Sequence, residues 1–518
     1  SGGMSVGSFG QSEPQRLSLF INGRRFIGFG GNWGFGESNL NYREREYDIA
    51  VAYHADMNFT MIRNWVGQIG DKEFYEACDR HGIMVWQDFW LANPVDGPNP
   101  YYTEMFNANA CDYLKRIRNH PSIGIYVGRN EGNPPAGIDD YLRGLVFREH
   151  PGLYYISNSA MGVVSGGGPY RALSPKSYFQ SYGHDKFHSE RGMPNVMNYE
   201  SMLLTFGTDK IEPVNTSETP NPVYGLHDYT LGGGKGSSAQ AASSFNDMIE
   251  KAFGRPRDAK QFAEWAQWIN YDGYRAIFEG RSEHRRGMLL WMSHSAWPSM
   301  VWQTYDYYFD PNAAYFGCKK ASEPLHIQWN PLRDDIEVVN YHAFDRTGLT
   351  ATASLFNQDG TLQWTRETKL DIKEDQTVAC FPLEQPETLS DTYFIKLSLT
   401  DSDGKQLSDN FYWRGKEDGN YKSLLQLPKV SVCKNVTVKK TGKEWLIRAV
   451  LKNEARTPAL MLRLKVAGEK SGRMLLPVFY SDNYFSLLPG EVKEVDIRLY
   501  DADTYGEKPV LEVLGFNL

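Results

Sequence analysis

The chain has 518 residues, too many for one hydrophobic core, so it divides into domains of roughly 100–200 residues each. Hydrophobic residues make up 41% and charged residues 23%, the balance of an ordinary globular chain. The formal net charge of −8 argues against nucleic acid and anionic membrane as partners, because both require a basic face, and no apolar run reaches the ~18–20 residues of a membrane helix.

Aromatic residues are abundant, with 13 Trp, 31 Tyr and 27 Phe. A large core accounts for many of them. A sugar site is the sharper explanation, since flat apolar sugar faces stack on rings while their edges are hydrogen-bonded. The five cysteines, at 78, 111, 318, 380 and 433, are too scattered for a disulfide framework, and with the histidines they make no metal-ligand spacing.

In chain order, the opening SGGMSVGSFG reads as a tag remnant running into 4-MSVGSFG-10, the last strand of an upstream sandwich, so residues 1–16 are taken as a linker. Strand-like and helix-like patterns then alternate. Candidate strands are 25–33, 57–65, 82–90, 123–131, 153–160, 186–192 and 287–297. Helical periodicity marks 45–57, 72–82 and 106–120. Short, nearly continuous apolar strands separated by helices imply parallel strands buried on both faces. About seven such units in ~300 residues predict a (β/α)8 TIM barrel over 17–329. One strand is unplaced between Ala160 and Lys186, where Gly and Pro crowd, and the Gly/Ser/Pro-rich stretch 205–245 predicts a long rim loop. Helical periodicity stops near residue 330. Alternating runs flank Asp359-Gly360 and Asp403-Gly404, and a Pro-Gly turn interrupts 485–500. Two immunoglobulin-like β-sandwiches are expected, over 330–425 and 426–518. The predicted fold class is thus α/β followed by all-β.

In a β/α barrel the chemistry sits at the C-terminal tips of the strands. Glu131 ends the fourth strand, in 123-IGIYVGRNEGNPP-135, and Glu190 lies near the seventh, in 187-FHSERG-192. Strands on opposite sides of a barrel mouth let two carboxylates converge. One can protonate a glycosidic oxygen while the other attacks; a gap of about 5–5.5 Å would retain anomeric configuration. Arg63, ending the second strand, is placed to keep Glu190 ionised, and the charge of Glu190 would then keep Glu131 a proton donor. Asn130 offers a neutral amide to a ring hydroxyl. Asp88, at the third tip, either holds a neighbouring Arg or touches substrate. Trp33, Trp65, Trp90 and Trp291 all end strands, and four rings at one rim suggest sugar stacking, although each alone is more often packing. Glu200 competes with Glu190 but reads as a first-turn helix acid, and Glu37 lies in a Gly-rich loop. His184, His188 and His294 read as hydrogen-bonding side chains.

Several of these segments are familiar together. The segment 119-NHPSIGIYVGRNEGNPP-135 resembles the acid/base motif of glycoside hydrolase family two, and 187-FHSERGMPNVMNYESM-202 resembles its nucleophile motif. The segments 82-GIMVWQDFW-90, 290-LWMSHSAWPSMVWQTYDYY-308 and 314-AYFGCKKASEPLHIQW-329, with the LLPGE turn, are similar to the exo-β-glucosaminidase and β-mannosidase branch. The resemblance spans nearly the whole chain and selects Glu190 over Glu200 as nucleophile. It implies a retaining exo-β-glycosidase acting by double displacement on oligo- or polysaccharides, with Glu131 as acid/base. Asn130, Arg63, Asp88, Asn32, Trp33, Trp65, Trp291 and Trp297 are taken from their positions as the substrate-site residues, and the mechanism requires neither cofactor nor metal. In the branch's glucosaminidases the fourth-strand acid is Asp. Here Glu131 stands, and Gly132-Asn133-Pro134-Pro135 provide no acid for a substrate amine, so β-galactosides and β-mannosides stay open beside β-glucosaminides. The family also carries a sugar-binding domain ahead of its barrel, a further expected partner for this chain. The rival from another class is a non-catalytic carbohydrate-binding protein on a degenerate barrel.

Overall fold

The structure, a computed structural model, describes residues 2–6, 16–180, 185–231 and 237–518, with backbone alone for 2–6 and 237–241. The chain forms two compact units. The first comprises Ser1–Tyr170, Gln180–Met193 and Gly280–Trp297; the second comprises Arg171–Phe179, Pro194–Glu279 and Pro298–Leu518.

The first unit opens with a small antiparallel sheet of β1 (Gly2–Val6), β2 (Leu17–Ile21) and β3 (Arg24–Phe26). Among the described residues, eight strands then form one parallel sheet: β4 (Gly28–Trp33), β5 (Met61–Asn64), β6 (Met84–Asp88), β7 (Ile123–Arg129), β8 (Tyr154–Asn158), β9 (Val164–Ser165), β10 (Phe187–Arg191) and β11 (Gly287–Leu290). Their spatial order is β8-β7-β6-β5-β4-β11-β10-β9, so the first barrel strand pairs with the last and the sheet curls on itself. Helices α1 (Glu44–Asp56), α2 (Lys72–His81), α3 (Thr103–Ile117) and α4 (Ala136–Glu149) connect the strands from β4 to β8. The end of α2 shows how local sequence sets a boundary. Arg80 and His81 occupy its last turn, and Gly82 follows in the left-handed conformation at φ 69°.

The barrel interior is packed by Met61, Trp86, Ile125, Val127, Ile156, Val164, Phe187 and Leu289. Leu17, Leu19 and Phe26 of the β2–β3 hairpin belong to the same cluster. That hairpin runs directly into β4 and so covers the N-terminal end of the barrel, leaving chemistry to the other end. Glycine lets β4 fit: a Cβ on Gly30 would fall 1.6 Å from the Met61 carbonyl oxygen, and one on Gly31 would fall 2.0 Å from Ser293 Oγ.

In the second unit, α5 (Pro175–Phe179), α6 (Tyr199–Phe206), α7 (Pro222–Gly225), α8 (Ser237–Phe253), α9 (Ala259–Glu279) and α10 (Ala313–Ala321) accompany four antiparallel sheets. The strands Leu325–Asn330, Asp335–Asn340 and Gln376–Pro382 form one sheet, and Arg346–Asn357, Leu362–Ile372, Thr392–Thr400 and Gln406–Gly415 form another. Their facing side chains, among them Ile327, Val338, Leu355, Ile395 and Leu397, make one core. The remaining strands, from Cys433 to Leu514, form a four-stranded and a three-stranded sheet.

Several sequence-based expectations change here. The last barrel strand stops at Leu290 rather than 297, and the unplaced sixth strand is the two-residue β9. The predicted strand 25–33 divides at Ile27 into β3 and β4. Stretch 205–245 is not one loop: α7 lies inside it and α8 begins at Ser237. Its segment 232–236 lies outside the described residues, as do 7–10 of the proposed upstream strand and His184. The Pro489-Gly490 turn separates strands belonging to different sheets: Phe485–Leu487 pairs with Ala459–Gly468, whereas Val492–Tyr500 pairs with Glu444–Lys452.

The second unit depends on Arg275 of α9. Its Nη1 donates to Asn410 Oδ1 at 2.9 Å and to the Phe411 carbonyl at 2.7 Å, and its Nη2 donates to Asp272 at 2.9 Å. The guanidinium lies 3.9 Å from the Tyr412 ring centroid. Asp272 keeps Arg414 at 3.1 Å, so what Arg275→Ala removes is packing and the donor to the buried Asn410 and Phe411 oxygens. We therefore expect Arg275→Ala to destabilise the protein by about 2–4 kcal/mol, read as a lowered midpoint in chemical denaturation.

Candidate active site

Parallel strands end together, so side chains at their C-terminal tips are brought side by side. Arg63, on β5, is fully buried there. A guanidinium has five N–H donors, and each finds an acceptor. Nε and Nη2 donate to Asp88 Oδ2 on β6, at 3.0 and 2.7 Å. Nη1 donates to Asn32 Oδ1 on β4 at 3.1 Å and to Glu190 Oε2 on β10 at 2.8 Å. Nη2 also donates to Asn130 Oδ1, just beyond β7, at 2.8 Å. Burial works against the charge on Arg63, but Asp88 and Glu190 outweigh it and push its pKa up, so it stays a cation.

Glu190 is 3% exposed. Its Oε1 accepts from the Tyr170 hydroxyl at 2.9 Å. Burial is the largest influence on its carboxyl and raises it. Arg63 pulls it down, and the negative charge of Glu131 pushes it up again; the net result is about 7. Arg63 therefore does not hold Glu190 low, as the sequence reading expects, because its charge is already matched by Asp88 and desolvation of Glu190 prevails.

Glu131 follows the end of β7 with its backbone in the left-handed region, at φ 49°, which is uncommon for a residue with a side chain. Its amide donates to Ser159 Oγ at 2.9 Å, and its Oε2 accepts from Asn93 Nδ2 at 2.6 Å. Its Oε1 faces Gly167, where a Cβ would stand 3.8 Å away. The two carboxylates are near enough for the charge of Glu131 to be felt at Glu190. Burial, then the charge of Glu190, then that of Glu131, raises the Tyr170 hydroxyl, so Tyr170 senses both and remains a protonated donor. The segment carrying Gly167 and Tyr170 is tied to Glu190 through Gly168, whose amide donates to the Glu190 carbonyl at 3.0 Å. Trp65 and Trp291 cross edge to face at 5.0 Å, and the Trp65 indole donates to Asn130 Oδ1 at 3.1 Å.

Comparison with known proteins agrees with this architecture. Residues 410–518 match the exo-β-D-glucosaminidase Ig-fold domain. Across 96% of the chain it is 27% identical to a mannosylglycoprotein endo-β-mannosidase of Lilium longiflorum and 28% identical to an exo-β-D-glucosaminidase of Streptomyces avermitilis. These alignments cover 63% and 60% of the relatives' own lengths, so the chain spans less than two thirds of them. Over nearly its whole length the chain is thus similar to proteins named exo-β-D-glucosaminidase and endo-β-mannosidase. The fold of the exo-chitosanase of Amycolatopsis orientalis superposes over the whole chain and 65% of that enzyme, with a TM-score of 0.87 at 23% identity. The β-D-mannosidase of Dictyoglomus thermophilum gives 0.78 at 20%, over the whole chain and 63% of that enzyme.

Most of the residues singled out in the sequence fall into two groups on this barrel. Glu131, Glu190, Asn130, Arg63, Trp65 and Trp291 gather at the strand tips, joined by the contacts above. Three others are used up by the protein. Asn32 donates from Nδ2 to the carbonyls of Ser189 and Leu290, both at 2.9 Å, and gives Oδ1 to Arg63, so it ties strands rather than facing a sugar. Trp33 is fully buried; it donates to His54 Nε2 and stacks on His294 with centroids 4.1 Å apart. Asp88 accepts from Arg63, from the Val66 amide and, on Oδ1, from the Trp86 indole, so its role is to hold Arg63. Trp297 is 38% exposed after β11. Trp90 packs against Phe106 and Tyr113 of α3.

The rival carboxylates are engaged elsewhere. Glu200 pairs with Arg463 at 2.9 Å and Lys465 at 3.2 Å, and Glu37 accepts backbone amides of Asn39 and Asn41 in its own loop. Burial lowers His188 to about 3 and His294 to about 4, so both rings are neutral; His188 bridges Ser165 Oγ and the Gly168 carbonyl. Among the described residues no group of three or more His, Cys, Asp or Glu could hold a metal ion. Tyr170 and Asn93 are absent from the sequence reading. Both lie in Gly/Pro-rich connections after short strands, and only their numbering relative to a strand tip hints at them.

The carboxyl of Glu190 gives a direct check. A folded-state pKa of about 7 against an ordinary value of 4.5 means that Glu190 contributes stability fully present below pH 4.5 and lost as the pH rises through 7. We expect Glu190→Gln, which cannot ionise, to gain on the parent by on the order of 3 kcal/mol between pH 4.5 and 8. Denaturation curves of both proteins across that range measure the change, and a pH-independent difference would refute it.

Proposed function

We propose that the chain is a retaining exo-β-glycosidase that hydrolyses terminal β-linked hexosides of oligo- or polysaccharides by double displacement. Glu190 is the nucleophile, and Glu131 protonates the leaving oxygen and then activates water. Arg63 and Tyr170 orient the Glu190 carboxylate with one donor on each oxygen. The Oδ1 of Asn130 is occupied by Arg63 and Trp65, which turns its Nδ2 donors toward a substrate hydroxyl. Trp65 and Trp291 form the sugar platform, with Trp297 at its margin. The working domain limits are a barrel over 17–329 and sandwiches over 330–425 and 426–518.

The observation that supports this reading most directly is the pair of unlike carboxylates answering to one tyrosine: Glu190 buried and doubly hydrogen-bonded, Glu131 more open and singly hydrogen-bonded. Acid–nucleophile division requires two carboxyl groups in different surroundings; here burial pushes up the nucleophile, Glu190, contrary to the expectation that it is held ionised, so it must lose its proton before it can attack. Similar proteins carry the names exo-β-D-glucosaminidase, β-mannosidase and endo-β-mannosidase, so β-glucosaminides and β-mannosides head the substrates to test, with β-galactosides beside them.

A panel of nitrophenyl β-glycosides decides. We expect turnover of at least one member, reduced by about 10⁴-fold or more in Glu190→Ala. Binding of sugars without turnover of any member would instead support a carbohydrate-binding protein. Product release from an end-labelled oligosaccharide separates exo from endo cleavage. Because the nucleophile must be ionised in the free enzyme, the acid limb of kcat/KM should fall near pH 7, well above an ordinary carboxylate.

A further inference from the structure

The connection after β6 is locked onto the residues that follow β7. The Asn130 amide donates to the Leu91 carbonyl at 3.0 Å. Arg129 donates from Nε to the Ala92 carbonyl at 2.8 Å and from Nη1 to Asn99 Oδ1 at 2.7 Å. Gly132 lies so close to this connection that a Cβ there would come 2.8 Å from Pro94 Cγ. At the centre of the contact, Asn93 Nδ2 donates to Glu131 Oε2 at 2.6 Å.

The orientation of that amide is fixed independently. Asn93 Oδ1 accepts from the Val95 amide at 2.9 Å, while the Asn93 carbonyl accepts from the Asp96 and Gly97 amides at 2.9 and 3.0 Å. An amide whose oxygen caps its own turn must present its NH2 to the carboxylate. Two donors cannot face each other, so a proton on Glu131 is excluded from Oε2 and must sit on Oε1, the oxygen facing Gly167.

We propose that Asn93 is a positioning residue that selects Oε1 of Glu131 as the oxygen that delivers the proton to the leaving group. The inference rests on the glycosidase reading above. In the first half-reaction the bond from the anomeric carbon to the leaving oxygen breaks and its electron pair stays on that oxygen. The proton on Oε1 moves to that oxygen as a Glu190 carboxylate oxygen bonds to the anomeric carbon. Without Asn93 the proton distributes over both oxygens and the carboxyl group rotates. The loss then falls on leaving groups that need protonation and spares those that do not.

The test compares phenyl and 2,4-dinitrophenyl β-glycosides of the sugar the parent turns over, in the full chain and in Asn93→Ala and Asn93→Asp. Asn93→Asp keeps an oxygen for the Val95 amide and puts a second carboxylate where the donor to Glu131 stood. General acid assistance contributes ~10²–10⁴-fold. We expect kcat/KM on the phenyl glycoside to fall about 30-fold or more in both variants, and to fall less than about 3-fold on the dinitrophenyl glycoside, which also shows that the variants fold. Equal losses on both leaving groups would reduce Asn93 to a loop anchor, and unchanged phenyl activity would overturn the proposal outright. A parent that turns over neither glycoside would remove the glycosidase reading itself, and this proposal with it.

Discussion

The buried guanidinium of Arg63 is the constraint on which the strand-tip cluster depends. Taking a cation out of water costs several kcal/mol unless every donor is matched, and here all five are matched by Asp88, Asn32, Glu190 and Asn130. Those partners come from β6, β4, β10 and the tip of β7, so one side chain on β5 fixes the mutual position of four other chain segments. Asp88 spends its remaining lone pairs on the Val66 amide and the Trp86 indole, which pins the anion that pins Arg63. The charge count then explains Glu190. One cation has already been neutralised by Asp88, so Glu190 is a second anion in a dry site and takes up a proton more readily than a free carboxylate.

The parts of the molecule legible in the sequence are those set by local repetition. Apolar strands alternating with amphipathic helices gave away the barrel because each unit repeats the same burial problem. Glu131 and Glu190 stood out because a carboxylate at the end of a buried strand contradicts the pattern leading to it. β9 was illegible for the converse reason: two residues, Val164 and Ser165, carry no period.

Side-chain direction was harder to read. Successive residues on a strand face opposite sides. Asn32 and Trp33 are adjacent, so when Asn32 turns into the barrel to meet Arg63, Trp33 turns outward to His54 of α1 and Phe74 of α2. Four tryptophans at strand ends suggest a rim, yet parity sends Trp33 into the helix layer, and the bend that follows β6 carries Trp90 against α3, leaving Trp65 and Trp291 to cross each other beside Asn130. Asn93 and Tyr170 were illegible for a different reason. Each reaches its carboxylate from a connecting segment, across 38 and 20 residues respectively, and nothing local to either residue announces the partner.

The two carboxylates are held by different kinds of structure, and the difference suits the roles we propose for them, Glu190 as nucleophile and Glu131 as acid/base. Glu190 lies on a strand, is almost wholly buried, and has one donor on each oxygen. Glu131 lies past the end of its strand on a left-handed residue, is partly open, and is steadied by another connection through Asn93. A nucleophile must return to the same geometry after each covalent step and gains nothing from exchange with water. An acid/base group gives up a proton in one half-reaction and recovers one in the next, so it needs an oxygen that water or a leaving group can reach. A strand supplies the rigidity the first role demands. Two interlocked loops, with one oxygen tethered and the other left toward Gly167, supply the access the second demands.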